Sequence, residues 1–230
     1  MLRTALALVL CAWFLWPAWE RVRPHAPFPL DDVYIHLDYA RSFRLGAPLS
    51  WLPGQGYSSG ETAPLYALVL ASGSLLRLGP DALGIFASLL GIAGVLYGVH
   101  QLAFLVPRRA SWLAVVAPLL VLGFGVIAWS LLSGMELGLF FALFARLLRT
   151  ATRRRGPGLV EASILLALLV AVRPEALLLT MLLAAGLARD GTAPRPLRRV
   201  VAYVRLVMPA VLVQGGIFVA NRLFTGETQS

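Results

Sequence analysis

The most polar stretch of the chain, residues 30–46, reads LDDVYIHLDYARSFRLG and carries the adjacent carboxylates Asp31 and Asp32. A carboxylate in a partly desolvated site can act as a general base on a hydroxyl. The same acids also suit a structural role, because Asp31 can cap a helix and Asp32 can complement the positive end of its dipole. The local sequence does not decide between these two interpretations.

Three further ionisable residues lie in short motifs between apolar runs: Glu136 in SGMELGLF, and Arg173 and Glu175 in RPEALLL. Arginine recognises phosphate through two parallel hydrogen bonds. Carboxylates and arginines that converge on one cavity would therefore suit a substrate with a phosphate and a hydroxyl. The structural alternative is an ion pair of Arg173 with Glu175 or with Glu136.

The polar stretch has helical periodicity with two distinct faces. At 100° per residue, one face is apolar and the other is polar, and Gly46 would end the helix. The apolar face holds Val33, His36, Leu37, Ala40 and Phe43, and the polar face holds Asp31, Tyr34, Asp38 and Arg41. We predict an amphipathic helix that lies along the membrane surface with its apolar side toward lipid. His36 is expected to be a packed or interfacial residue.

The composition places the chain in a membrane. Of its 230 residues, 59% are apolar and only 13% are charged, which excludes a soluble globular protein. All 20 basic residues are arginine and the net charge is +9. These arginines are spread between apolar runs instead of forming one patch, so we expect no nucleic-acid partner. The single cysteine, Cys11, cannot form an internal disulfide.

The apolar runs and the arginines together predict the topology. About 20 residues are needed to cross the hydrocarbon core, and Pro174 favours two crossings within residues 158–188. Counting residues 63–78 as a crossing would place the arginine-rich loops outside, against the positive-inside rule. Seven crossings remain, in the runs 4–19, 82–106, 110–132, 135–148, 158–172, 174–188 and 200–219. We predict an all-α, polytopic membrane helical bundle.

This topology separates the charges. Thirteen of the 20 arginines fall inside and nine of the 11 acids fall outside. We therefore expect one transmembrane domain over residues 1–230, with a cytoplasmic N-terminus, an uncleaved first anchor and a first outer loop over residues 20–80 that carries the acids. The expected location is a bacterial inner membrane or plasma membrane.

An ordered set of motifs adds a resemblance. LDDVYIHLDYARSFRLGAPLSW, GYSSGETAPLYALVLA, SGMELGLF, RPEALLL and NRLFTG follow one another over nearly all of the chain. In this order and spacing they resemble the C class (GT-C) of membrane glycosyltransferases, which use polyprenyl-phosphate sugars. Protein O-mannosyltransferases, the aminoarabinose transferase of lipid A and arabinofuranosyltransferases belong to this class.

The resemblance implies an inverting transfer of a hexosyl or pentosyl group to an acceptor hydroxyl at the outer face, in building the cell envelope. Asp31 matches the first acid of the class motif and would be the general base, assisted by Asp32. Glu136 lies where several members carry a second acid, whereas Arg41 and Arg173 are phosphate candidates by charge and side of the membrane. The full set of expected substrate-binding residues is Tyr34, Asp38, Arg41, Tyr57, Glu61, Glu136, Arg173 and Glu175.

The expected partners are a polyprenyl-phosphate sugar donor, a glycan, lipid or protein acceptor, and membrane lipid. A divalent metal, Mg²⁺ or Mn²⁺, is compatible with a site between Asp31, Glu136 and the phosphate, but no ligand spacing requires one. Members of the class usually continue beyond the seventh crossing, so we expect the chain to be a fragment or to have a partner subunit. A truncated non-catalytic subunit and a lipid or solute transporter are the alternatives.

Overall fold

The computed structural model describes residues 2–22, 31–152, 157–190 and 196–225, and every regular element in these ranges is a helix. The all-α prediction is confirmed. The α-helices are α1 Leu2–Val22, α2 Asp31–Arg44, α3 Pro64–Leu75, α4 Pro80–Ala103, α5 Leu113–Gly123, α6 Gly125–Leu132, α7 Leu137–Ala151, α8 Pro157–Val172, α9 Leu177–Asp190 and α10 Pro196–Thr225. Short 3-10 helices lie at Arg108–Ala110 and Pro174–Ala176.

Two of the described helices, α4 and α10, are each long and apolar enough to cross a membrane. The pair α5 and α6 qualifies as a third span only when taken together, because its axes are bent by 83°. These spans are consistent with an integral membrane protein. The other apolar helices are shorter, and α3, at 12 residues, extends only about 18 Å. Seven crossings therefore stay a prediction.

The bend between α5 and α6 differs from the single crossing predicted over residues 110–132. Phe124 leaves the helical conformation, with φ −73° and ψ 104°, and Gly123 and Gly125 lie on either side of it. Glycine is a poor helix former because its unfolded backbone has the most freedom to lose. By contrast, the break predicted at Pro174 is confirmed, since α8 ends at Val172 and α9 begins at Leu177.

Helix α2 has the two faces that the sequence predicts, but protein covers its apolar face. Val33, His36 and Ala40 are buried, while Asp32 and Arg41 are exposed. The apolar face packs on α3 and the adjoining part of α4, in a cluster with Tyr66, Leu70 and Ala87. The sequence predicted that the apolar face of α2 lies in lipid. In the structure, this face packs against protein instead.

Two larger cores lie within the bundle. One joins α1, α4, α5 and α6 through side chains such as Cys11, Leu15, Val95 and Leu132. The other joins α7, α8, α9 and α10 through side chains such as Leu166 and Leu206. Contacts between α4 and α7 connect the two cores.

Helices α4 and α7 approach each other at glycines. A Cβ atom added at Gly94 would lie 2.3 Å from the carbonyl oxygen of Gly138, and one added at Gly138 would lie 2.5 Å from the Cα atom of Gly91. Real Cβ atoms essentially never approach other atoms closer than 3.0 Å. The two backbones can lie this close only because neither helix has a side chain at the contact.

Replacing Gly138 with alanine is therefore expected to force α4 and α7 apart. Overpacking of this kind typically lowers the free energy of unfolding by about 1–3 kcal/mol. Gly186→Ala in α9 is the matched control, because no atom lies within 4 Å of its added Cβ and alanine is the better helix former. Thermal unfolding in detergent micelles checks both, and equal losses would contradict the close approach.

Candidate functional site

A buried chain of charged side chains joins three distant segments of the sequence. Glu61, His36, Glu136 and Arg173 contact one another in that order. The Nδ1 atom of His36 lies 2.8 Å from Oε1 of Glu61, and its Nε2 atom lies 3.4 Å from Oε2 of Glu136. Arg173 donates through Nε and Nη2 to Oε1 of Glu136. We call these four residues the charged cluster.

Each member of the charged cluster is placed by a local feature of the backbone. His36 lies one turn into α2, and Glu61 precedes α3, where its Oε1 accepts the backbone N–H of Ala63 at 2.7 Å. Glu136 is the residue before α7, and Arg173 is the extended residue between α8 and the 3-10 helix. The charged cluster therefore ties the α2–α3 segment to α7 and α8.

The turn that leads into Glu136 is held by buried hydroxyls. Tyr66 of α3 donates to the carbonyl oxygen of Gly134 at 2.6 Å, and Ser88 of α4 donates to that of Leu132 at 2.6 Å. Gly134 has φ +82°, a backbone conformation that residues other than glycine rarely adopt. The Tyr66 ring also meets the His36 ring edge to face, with centroids 5.3 Å apart. The carboxylate of Glu136 is thus set in place from two helices.

The charged cluster is buried at its centre and open at one end. The side chains of His36, Glu61 and Glu136 are each 2% exposed, whereas that of Arg173 is 47% exposed. Burial opposes the charge on His36, but hydrogen bonds to Glu136 and Glu61 outweigh it and raise the His36 pKa from 6.5 to about 9. Burial likewise opposes the charge on Glu136, but His36 and Arg173 lower its pKa overall. At neutral pH, His36 is an imidazolium between two carboxylates.

This raised pKa predicts a pH-dependent stability. Because the folded pKa of His36, about 9, exceeds the unfolded value of 6.5, its contribution is complete below pH 6.5 and is lost as the pH rises through 9. Unfolding in detergent micelles, followed from pH 6 to 10, is expected to show a loss of a few kcal/mol over this window. His36→Gln should remove most of this slope. An equal slope in this variant would assign the effect to other groups.

The structure brings together three of the predicted site residues: Glu61, Glu136 and Arg173. Of the two ion pairs considered for Arg173, the one with Glu136 is present, and Glu175 is exposed on the 3-10 helix. His36, which the sequence predicted to be a packed or interfacial residue, lies at the centre of the charged cluster. The sequence did contain a signal for this role of His36. It is a histidine among apolar residues, on the apolar face of a helix that is otherwise polar.

The predicted residues of α2 lie along the other faces of the helix. Asp32 and Arg41 are exposed, and Tyr34 and Asp38 are partly buried. Burial raises the pKa of Asp38, with Arg41 opposing the shift. The side chain of Asp31, the predicted base, lies outside the described residues. Asp32 lies four residues before His36, which is about one turn of α2.

Tyr57 contacts the C-terminal part of α10. Its hydroxyl donates to Oδ1 of Asn221 in α10, and its ring packs against Phe224 at 5.2 Å. The neighbouring Ser58 accepts a hydrogen bond from Tyr39 of α2 through its carbonyl oxygen. The glycine-rich segment over residues 51–61 therefore links α2 to α10.

The described residues contain no group of three or more acidic, histidine or cysteine side chains arranged to hold a metal ion. Glu136 already contacts the cationic side chains of His36 and Arg173. The predicted metal site also involves Asp31, whose side chain is not described, and it stays a prediction.

Comparison of this chain with protein-family models, with curated proteins and with solved structures finds no match.

Proposed function

We propose that this chain is a membrane glycosyltransferase that moves a sugar from a polyprenyl-phosphate donor to an acceptor hydroxyl. The observation that carries the proposal is the charged cluster, which ends in the half-exposed guanidinium of Arg173. Glu136 fixes this guanidinium, and the acids at the start of α2 lie about one helical turn from His36. A fixed cation beside carboxylates suits a phosphate that leaves while a hydroxyl is deprotonated.

An apolar cavity whose lining includes the residue after Glu136 suits the lipid part of such a donor. It has a volume of about 400 Å³ and lies between α4, α5, α6 and α7. Leu137, the neighbour of Glu136, lines it, as do Leu131 and Phe141. Cavities lined by such side chains stay dry and accept hydrocarbon. A donor with its phosphate at Arg173 would therefore have an apolar space for the adjoining part of its chain.

We propose the following mechanism from the contacts of Arg173 and from the role that the resemblance implies for Asp31. Asp31 takes the proton of the acceptor hydroxyl, whose oxygen then attacks the anomeric carbon as the bond to the phosphate opens on the opposite side. The configuration at that carbon inverts, and the polyprenyl phosphate leaves with the bonding electron pair. Arg173 stabilises the charge that develops on the phosphate oxygens. Asp32 positions Asp31, and Glu136 with His36 holds Arg173 in place.

We place the charged cluster at the outer face in a topology of seven crossings, formed by α1, α4, the bent pair α5–α6, and α7 to α10. A second polar cluster lies at the opposite end of α7. There Arg149 donates to Gln101 at 2.7 Å and packs over the Phe104 ring, and Arg146 pairs with Glu161. Glu136 and Arg149 are about 20 Å apart along α7. The two polar clusters therefore lie at opposite ends of α7, as the proposed orientation requires.

Cysteine labelling tests this orientation. In a Cys11→Ala background, a Ser59→Cys variant is expected to react with an impermeant reagent added outside intact cells. A Thr152→Cys variant should react only after the membrane is opened. Reversed labelling would overturn both the orientation and the outer site.

A transfer assay tests the proposed reaction. The full chain, reconstituted in liposomes with a polyprenyl-phosphate sugar and a hydroxyl acceptor, is expected to release polyprenyl phosphate and form the inverted glycoside. Movement of lipid or solute across the liposome without glycoside formation would favour a transporter. If neither product appears until a co-purifying membrane protein is added, the chain is a non-catalytic subunit.

A further inference from the structure

A second groove lies between α8 and α10, away from the charged cluster, and it combines two arginines with apolar walls. Its volume is about 790 Å³. Arg198 and Arg205 line it, together with exposed apolar side chains such as Val160, Ile164 and Val201. The two arginines are seven residues apart on α10, which places them on one side of the helix at about 10 Å.

The groove has a defined shape because α8 and α10 are joined at its centre. Pro209 has no N–H, so the carbonyl oxygen of Arg205, four residues earlier, lacks its usual helical hydrogen bond. Ser163 of α8 donates to this oxygen at 3.0 Å and to that of Leu206 at 3.3 Å. The floor of the groove is therefore fixed by a contact between the helices.

The charges around the groove are positive. Both guanidinium-bearing residues are exposed, and among the described residues neither Arg198 nor Arg205 forms an ion pair with an acid. Glu161, the acid at the start of α8, pairs with Arg146 instead. The groove thus offers two cations next to a hydrocarbon surface. The matching ligand has an anionic head and apolar chains.

We infer that this groove binds an anionic phospholipid of the inner leaflet, with its phosphate at Arg198 and Arg205 and its acyl chains along α8 and α10. Basic pockets between membrane helices on the cytoplasmic side recognise anionic headgroups. The exposure of α10 agrees with this placement, since only 17% of its most apolar 18-residue stretch is buried. The inference rests on the orientation proposed above and is independent of sugar transfer.

The test measures which lipid stays bound to the full chain. Protein in detergent with equal amounts of phosphatidylglycerol and phosphatidylcholine is expected to retain one phosphatidylglycerol in native mass spectrometry. Each arginine near an anionic surface gives roughly a fivefold gain in affinity, so Arg198→Gln with Arg205→Gln should weaken retention about 30-fold. Arg109→Gln, an exposed arginine outside the groove, is the matched control and should have no effect.

Two further experiments distinguish a lipid-binding site from a site that binds any anion. Excess inorganic phosphate should not displace phosphatidylglycerol, and a short-chain phosphatidylglycerol should bind more weakly than the long-chain lipid. Equal retention of phosphatidylcholine, unchanged retention by the double variant or displacement by phosphate would each overturn the inference. Circular dichroism and thermal unfolding of each variant establish that it is folded.

Discussion

Asp31→Asn is expected to abolish sugar transfer while leaving the protein folded. Asparagine has nearly the same shape as aspartate but cannot take a proton, so the acceptor hydroxyl would attack without a base. Loss of a general base typically lowers the rate by about 10²- to 10⁴-fold. The measurement is the turnover of the reconstituted chain at saturating donor, with donor binding followed separately. We expect the turnover to fall and the binding of donor to change little.

Two matched variants make this result specific. Asp81→Asn changes an exposed acid in the first turn of α4, on the same proposed side of the membrane, and should leave transfer unchanged. Asp32→Asn should lower transfer less than Asp31→Asn, because Asp32 is expected only to position its neighbour. Full activity of Asp31→Asn would remove Asp31 as the base. Equal losses of transfer activity in all three variants would instead indicate a general effect of negative charge on the outer side of the membrane.

His36→Ala is expected to destabilise the protein more than any other single substitution considered above. It removes the cation between two carboxylates that are each 2% exposed, Glu61 and Glu136. Breaking a buried ion pair by removing one partner typically costs about 3–5 kcal/mol, because the remaining charge is buried without compensation. Unfolding in detergent micelles at pH 7 measures the loss. His100→Ala is the control, since His100 is only partly buried and contacts the Phe104 ring.

A double-mutant cycle separates this charge effect from the loss of packing. If His36 and Glu61 act as a pair, Glu61→Gln should cost much less in the His36→Ala background than in the wild-type chain. Coupling between groups in one network is typically about 0.5–3 kcal/mol. Additive losses would show that His36 contributes by packing, for example against the Tyr66 ring, and would remove the electrostatic basis of the charged cluster.

Local patterns in the sequence were sufficient for several elements. The helix over residues 31–44 and its two faces follow from periodicity, which depends only on neighbours along the chain. The break at Pro174 follows from the ring, which blocks a helical hydrogen bond. The bend at Phe124 was not predicted, because a glycine on each side of a residue weakens a helix without determining its angle. The partner of the apolar face of α2 was also not predicted, since lipid and the face of α3 are equally apolar.

The charged cluster, too, could be predicted only in part from the sequence. Glu136 and Arg173 could be selected from the sequence because charged residues next to apolar runs are costly unless paired or functional. Glu61 was expected only from the resemblance. The choice of Glu136 over Glu175 as the partner of Arg173 needed the structure, and so did the position of His36, which is 25 residues from Glu61 and 100 from Glu136. By itself the sequence determined an apolar, all-helical chain with acids and arginines in separate segments, because hydropathy, helical period and charge are local. Only the tertiary structure decided which of those charges meet, because contacts between segments depend on how the helices pack.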